Sequence, residues 1–205
     1  MNRNVVIQKL NSNSKRKIVI SDIHGNLDLY IKLLNKIKYH PNKDCLILLG
    51  DLIEKGPKNL ETLHYIMLQT KTEDVHCIMG NCDFIAKNVL YSYRLDFLKH
   101  VLSFRKESLI HEMAKSLNIE ITQNSNMSDV CQILRKHYLD ELCFLNDLPH
   151  VLEDEKHIYV HAGIESNENY GTDFKQVMTH AFFLETNTIF KKNVVVGHMP
   201  VTEYC

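Results

Sequence analysis

The chain has no excess of charge of either sign: 24 Lys and Arg oppose 25 Asp and Glu in 205 residues. No overall field draws it to nucleic acid or to an anionic membrane, so any recognition of phosphate has to be local. Long apolar runs are missing as well. The opening "MNRNVVIQKL" holds only three consecutive strongly apolar residues, too few for the apolar region of a signal peptide and far short of a bilayer span. A cytoplasmic location is the expectation. The six cysteines, at 45, 77, 82, 131, 143 and 205, include no C-x-x-C pair and are too sparse for a disulfide scaffold, which predicts reduced thiols and argues against a structural zinc site. Internal repeats and low-complexity tracts are absent too.

What is present is a regular alternation. "KIVIS" (17–21), "CLILLG" (45–50) and "VHCIMG" (75–80) read as short buried strands. Between the first two, Leu27, Tyr30, Ile31, Leu34 and Ile37 recur at helical spacing, and a further helix is predicted around 58–69. Continuous apolar strands separated by helices predict a mainly parallel sheet covered on both faces. Cys45 and Cys77 read as small core residues within two of these strands. Residues 84–148 lose the strand signal and read as a helical insertion in a single domain spanning 1–205. There Val130, Ile133, Leu134, Tyr138, Leu142 and Leu145 form one apolar stripe, with Ser128 as the expected N-cap. The insertion either shapes access to a site or is structural only. Strands return as "HIYV" (157–160) and "NVVVG" (193–197).

Each of these five strands is followed at once by a residue able to bind a metal: Asp22 and His24, Asp51, Asn81, His161 and His198. Taken singly, Asp and Asn after a strand are turn residues or helix caps, and a lone His is more often structural. Repetition at five strand ends is harder to explain so, above all for His161 and His198, because imidazole has no advantage in turns. The carboxyl ends of parallel strands share one edge, where ligands bind. Carboxylate, imidazole and amide oxygen together suit Mn, Fe or Zn. A carboxylate shared by two cations is the arrangement used in phosphoryl displacement, so a phosphate ester is the expected substrate.

"SDIHGN" (21–26), "GDLIEKG" (50–56), "GNCD" (80–83), "VHAGI" (160–164) and "VVGHMPV" (195–201) resemble, in order, the blocks of the calcineurin-like metallophosphoesterases. The likeness is nearest to bacterial members similar to serine/threonine phosphoprotein phosphatases and symmetrical diadenosine tetraphosphatases. The resemblance implies a four-layer αββα sandwich and two divalent metal ions, most simply manganese, with iron or zinc as alternatives. It implies Asp22, His24 and Asp51 on one metal and Asp51, Asn81, His161 and His198 on the other, with Asp51 as the bridge. The implied reaction is attack of metal-activated water on a phosphate ester, whether phosphoprotein, nucleotide or small molecule.

Three departures from the family pattern qualify this. Cys82 stands where phosphoprotein phosphatases carry a His that protonates the leaving group, while the acidic residue that orients that His is kept as Asp83. Lys55 stands where an arginine usually binds phosphate, and a lysine offers a point charge without a planar fork. No arginine lies between His161 and His198, and the sequence stops seven residues after His198, where relatives continue into further strands, so C-terminal strands are expected to be missing. Asp51, Cys82 and Asp83 are thus the expected catalytic residues, and Lys55 and Asn81 the substrate-binding ones. Two other readings stay open: a phosphodiesterase or dinucleoside polyphosphate hydrolase, and a metal-binding regulatory module without activity.

Overall fold

The computed structural model describes residues 5–11, 15–98, 108–165, 170, 174–180 and 189–200. The five anticipated strands all form, but they divide between two sheets. β2 (Arg16–Ile20), β3 (Asp44–Leu48) and β4 (Val75–Cys77) make one sheet, parallel throughout, in the order β2-β3-β4. β6 (His157–Val160) and β7 (Asn193–Val195) run parallel in a second sheet. That sheet also holds β1 (Ile7–Lys9) and β5 (Val151–Glu153), in the order β1-β5-β6-β7, with β5 antiparallel to β6. The parallel sheet expected from the first three strands is β2-β3-β4, and the two sheets together are those of the αββα sandwich that the resemblance implies. β1 and β5 escaped notice because three residues are too short for any periodic signal.

Alternation along β3 shows why two layers form. Cys45, Ile47 and Leu49 belong to an apolar cluster with Ile78, which follows β4, and with Leu152 and Tyr159 of the other sheet, whereas Leu46 and Leu48 join the larger cluster shared with the helices. Leu46, Ile47 and Leu48 have no exposed surface, and full burial of such side chains contributes about 1.5–3 kcal/mol each. A strand apolar on both faces can only lie between two other layers. Helix α1 (Leu27–Lys36) buries Tyr30 and Leu34, and the Tyr30 hydroxyl donates to Gln69 of α2 (Asn59–Thr72) at 2.8 Å.

The described part of the helical region runs from α3 (Asn81–Leu90) through α4 (Leu109–Ser116) and α5 (Met127–His137) to α6 (Leu139–Asp147). The single stripe over 130–145 is in fact two helices, because the backbone departs from helical geometry at Tyr138. Val130, Leu134, Leu142 and Leu145 are buried, but Ile133 is exposed. The N-cap of α5 is Asn126, whose side chain accepts from the Ser128 N–H at 3.2 Å; Ser128 itself is already inside the helix. A last helix, α7 (Phe174–Thr179), follows β6. Residues 201–205 lie outside the described residues.

Candidate metal centre

All five strands deliver their carboxyl ends to one edge of the sandwich, and backbone hydrogen bonds fasten the following loops together. The N–H of Asp22 donates to Gly50 (3.2 Å), that of His24 to Asp51 (2.8 Å) and that of Gly25 to Leu52 (3.0 Å), while Gly197 N–H reaches His161 (2.8 Å). Gly197 and Gly80 allow close approaches: a Cβ on Gly197 would strike the Ser21 side chain, and one on Gly80 would strike Asp51. Nine described non-glycine residues have positive φ, and six of them lie in these loops: Asp22, His24, Asp51, Glu54, Lys55 and His198. Each such conformation costs about 1–3 kcal/mol, so the surrounding bonds must hold it in place.

The six expected ligands do meet. Asp51 is 1 % exposed and central. One of its oxygens accepts the Cys82 N–H at 2.8 Å, in the first turn of α3, and lies 3.6 Å from His161 Nε2; the other lies 3.6 Å from His24 Nε2. His24 Nε2 is also 3.7 Å from Asp22. The other oxygen of Asp22 accepts from the Ser21 hydroxyl and from the His198 N–H, the latter at 2.9 Å. His198 Nδ1 stands 3.2 Å from His161 Nε2.

The protonation pattern tests whether cations fit here. His161 is fully buried, with Nδ1 at 2.6 Å from the Leu49 carbonyl. A carbonyl only accepts, so the ring proton sits on Nδ1 and Nε2 presents a lone pair. Asn81 Oδ1 faces that lone pair at 3.0 Å, its amide oriented by donation from Nδ2 to the Cys82 sulfur at 3.6 Å. Two acceptors held this close are relieved by a cation, or a proton, between them. On the other side, Lys55 Nζ stands 3.0 Å from His24 Nε2, a positive charge placed where a metal would be. The donor set is nitrogen and oxygen, as borderline and hard divalent cations require.

Desolvation is the first cause that lowers the pKa of both His24 and His198, with neighbouring Lys55 and His161, respectively, acting in the same direction against the nearby carboxylates. Both rings are therefore favoured in the neutral, ligating form.

Asp83 is held by peptide groups. It is fully buried, accepting N–H bonds from Leu52 (3.0 Å), Ile53 (3.4 Å) and Gly80 (2.9 Å). It therefore braces the loop that carries Asp51. Burial and the charge of Asp51 push its carboxyl well up, against the three N–H donors. Cys82 is also fully buried, and its sulfur lies within 4.8 Å of the donor atoms of His24 and Asp51.

Sequence reasoning missed the supports of this centre. Asn59 Oδ1 accepts the Glu54 N–H at 2.5 Å, and Asn59 Nδ2 donates to the Gly56 carbonyl at 2.9 Å. Glu112, from α4, accepts the N–H groups of Asn59 (2.8 Å) and Leu60 (2.7 Å) and the Asn59 amide (2.7 Å). The N-cap residue of α2, Lys58, makes no side-chain cap, so a carboxylate 52 residues away along the chain does its work, favoured also by the helix dipole. The helical region is thus tied directly to the loop behind the centre. Glu112→Ala is expected to lower stability by about 1–3 kcal/mol, the range for a charged group's lost hydrogen bonds. Urea denaturation measures it, and Glu112→Gln should recover part of the loss.

The sequence profile described as calcineurin-like phosphoesterase matches residues 15–205. The symmetrical bis(5'-nucleosyl)-tetraphosphatase of Buchnera aphidicola subsp. Baizongia pistaciae is 34 % identical over 101 residues, 49 % of this chain and 33 % of that protein. The protein of the same name from Escherichia coli O139:H28 is 40 % identical over 65 residues, 32 % of this chain and 22 % of its own. The matched segments therefore span a third or less of these curated relatives. A crystal structure assigned as a diadenosine tetraphosphatase superposes with a TM-score of 0.57 at 18 % identity, covering 85 % of this chain and 63 % of that one, which is a likeness of fold. Among the described residues no helix is long and apolar enough to cross a membrane.

Proposed function

Because the chain belongs to the calcineurin-like phosphoesterase family, we propose that it hydrolyses a phosphate ester at the centre formed by Asp22, His24, Asp51, Asn81, His161 and His198. The observation that carries this reading is the convergence of lone pairs from His161 Nε2 and Asn81 Oδ1, 3.0 Å apart, on the buried Asp51. Asp22, His24 and Asp51 would hold one divalent cation and Asp51, Asn81, His161 and His198 another, manganese being the first choice. Bound there, the pair would lower the pKa of water and balance charge developing on the phosphoryl oxygens.

The chain's own residues do the rest. Asn81 Nδ2, whose partner is the weakly accepting Cys82 sulfur, can turn its N–H to an anionic substrate. Lys55, freed from His24 by a cation, meets phosphate as a point charge. A cleft of about 190 Å³ beside Asp22, walled by Leu29, Tyr30 and Leu33, gives the organic part of the ester an apolar surface. Cys82 is buried and a weak donor, so departure of the leaving group depends mainly on that group's own acidity. The compartment we infer is the cytoplasm, where thiols stay reduced; the five described cysteines are free.

A second reading is favoured by Cys82 and by the relatives' names: a phosphodiester or dinucleoside polyphosphate as substrate. Turnover of p-nitrophenyl phosphate, bis-p-nitrophenyl phosphate and diadenosine tetraphosphate after manganese loading separates the two. Aryl esters are expected to be cleaved well ahead of alkyl ones, and Cys82→His to narrow that gap by up to the roughly 10²–10⁴-fold that general acid help supplies. Manganese binding without hydrolysis of any of the three would make the chain a regulatory module and overturn the enzymatic reading.

A further inference from the structure

At the opposite edge of the sandwich, β3 and β4 bring together a second set of donors. Cys45, Asp74 and His76 place a sulfur, a carboxylate oxygen and an imidazole nitrogen within 4.8 Å of one another. Register explains the meeting. Ile47 pairs with His76, and Leu46 donates its N–H to the Asp74 carbonyl at 2.9 Å. Cys45 and Ile47 both face the other sheet, so His76, paired with Ile47, and Asp74, two residues before it, project from the same face as Cys45.

We propose that Cys45, Asp74 and His76 form a cation site, separate from the phosphoesterase centre, that takes zinc or a zinc-like ion. The chemistry selects the ion: one thiolate, one imidazole and one carboxylate suit zinc or cobalt, whereas manganese and magnesium prefer oxygen. The gradation of burial supplies a floor and an entrance. Cys45 is 3 % exposed, while the side chains of Asp74 and His76 are 18 % and 29 % exposed, leaving a fourth position open to water.

A hydrogen bond and a positive charge already mark the place. His76 Nε2 lies 2.9 Å from one oxygen of Asp74, so their hydrogen bond spans two of the ligands. Lys15 Nζ lies 2.8 Å from the other oxygen. Lys15 is 32 % exposed and can swing into solvent when the ion enters. Neutral His76 with its proton on Nδ1 then offers Nε2, and the Cys45 thiol releases its proton to solvent.

Titration of the full chain with Co²⁺ tests the site, because thiolate-to-cobalt charge transfer gives a near-ultraviolet band that oxygen and nitrogen ligands do not. Cys82, the thiol near the phosphoesterase centre, makes Cys82→Ser the necessary control. The band is expected in the parent and in Cys82→Ser and to vanish in Cys45→Ser. In His76→Gln, a change at a partly exposed side chain that spares the core, cobalt should bind more than about 10-fold more weakly. Mn²⁺ should neither produce such a band nor displace the cobalt that gives it. No band in the parent, or a band kept by Cys45→Ser and lost in Cys82→Ser, overturns the proposal. Should Cys45→Ser fail to fold by circular dichroism, His76→Gln decides alone: an unchanged cobalt affinity refutes the site.

Discussion

Asp51→Asn is expected to abolish phosphate ester hydrolysis while leaving the fold intact. Asp51 is the one carboxylate shared by both groups of donors, with His24 Nε2 at 3.6 Å from one oxygen and His161 Nε2 at 3.6 Å from the other. Loss of a single preorganised electrostatic partner costs about 10²–10³ in turnover. A residue common to two cations should cost at least that much. Asparagine accepts the positive φ that Asp51 adopts (50°), and its amide oxygen can still receive the Cys82 N–H. It also removes a charge that opposes ionisation of the buried Asp83. The measurement is hydrolysis of p-nitrophenyl phosphate together with manganese stoichiometry and a thermal melt. Activity near the parental level in Asp51→Asn would rule out this centre as the catalytic one.

The second large effect is on stability. Asp154, just after β5, is 6 % exposed and accepts from Lys17 Nζ, from the N–H groups of Lys156 (2.8 Å) and His157 (2.7 Å), and from the Tyr159 hydroxyl (3.0 Å). Lys17 comes from β2 and Tyr159 from β6, so this carboxylate pins the two sheets together at the edge away from the phosphoesterase centre. Asp154→Ala leaves a partly buried ammonium, a hydroxyl and two N–H groups without their acceptor, and should cost about 3 kcal/mol.

The same bonds fix the sign of a pH effect. Burial alone would raise the Asp154 carboxyl, but Lys17, the two N–H groups and Tyr159 together hold it well below the usual carboxylate range. The unfolded chain then takes up a proton first as pH falls. The stabilisation is full above the unfolded carboxylate pKa of about 3.9 and is lost progressively below it. Urea denaturation of parent and Asp154→Ala should therefore show a constant gap between pH 5 and 8 that narrows below about pH 4. A gap that widens on acidification would contradict this account.

Five strands and the meeting of six ligand-type side chains could be read in advance because both signals are local: an apolar run, then such a side chain within a few positions. The stripe over 130–145 misled for a related reason. Helical spacing continues across Tyr138, while the break there is a backbone event that spacing does not record. Ser128 and Asn126 are both good caps, and only the bond from Ser128 N–H to the Asn126 side chain separates them.

The order of the blocks, the donor types and the substitution at Cys82 were determined by the sequence alone, since each is a matter of which residue follows which. Tertiary structure decided the rest. It divided the strands between two sheets, set the His161 proton against Leu49, gave Asp83 to three peptide groups, and brought Glu112 to the start of α2. It also placed Cys45 beside Asp74 and His76, although the spacing of the cysteines argues against a structural zinc site. Apart from the Gly80–Asp83 bond, these contacts join residues some 30 to 110 positions apart. Their cause is the pairing of strands and the burial of two faces of β3, which no local pattern encodes.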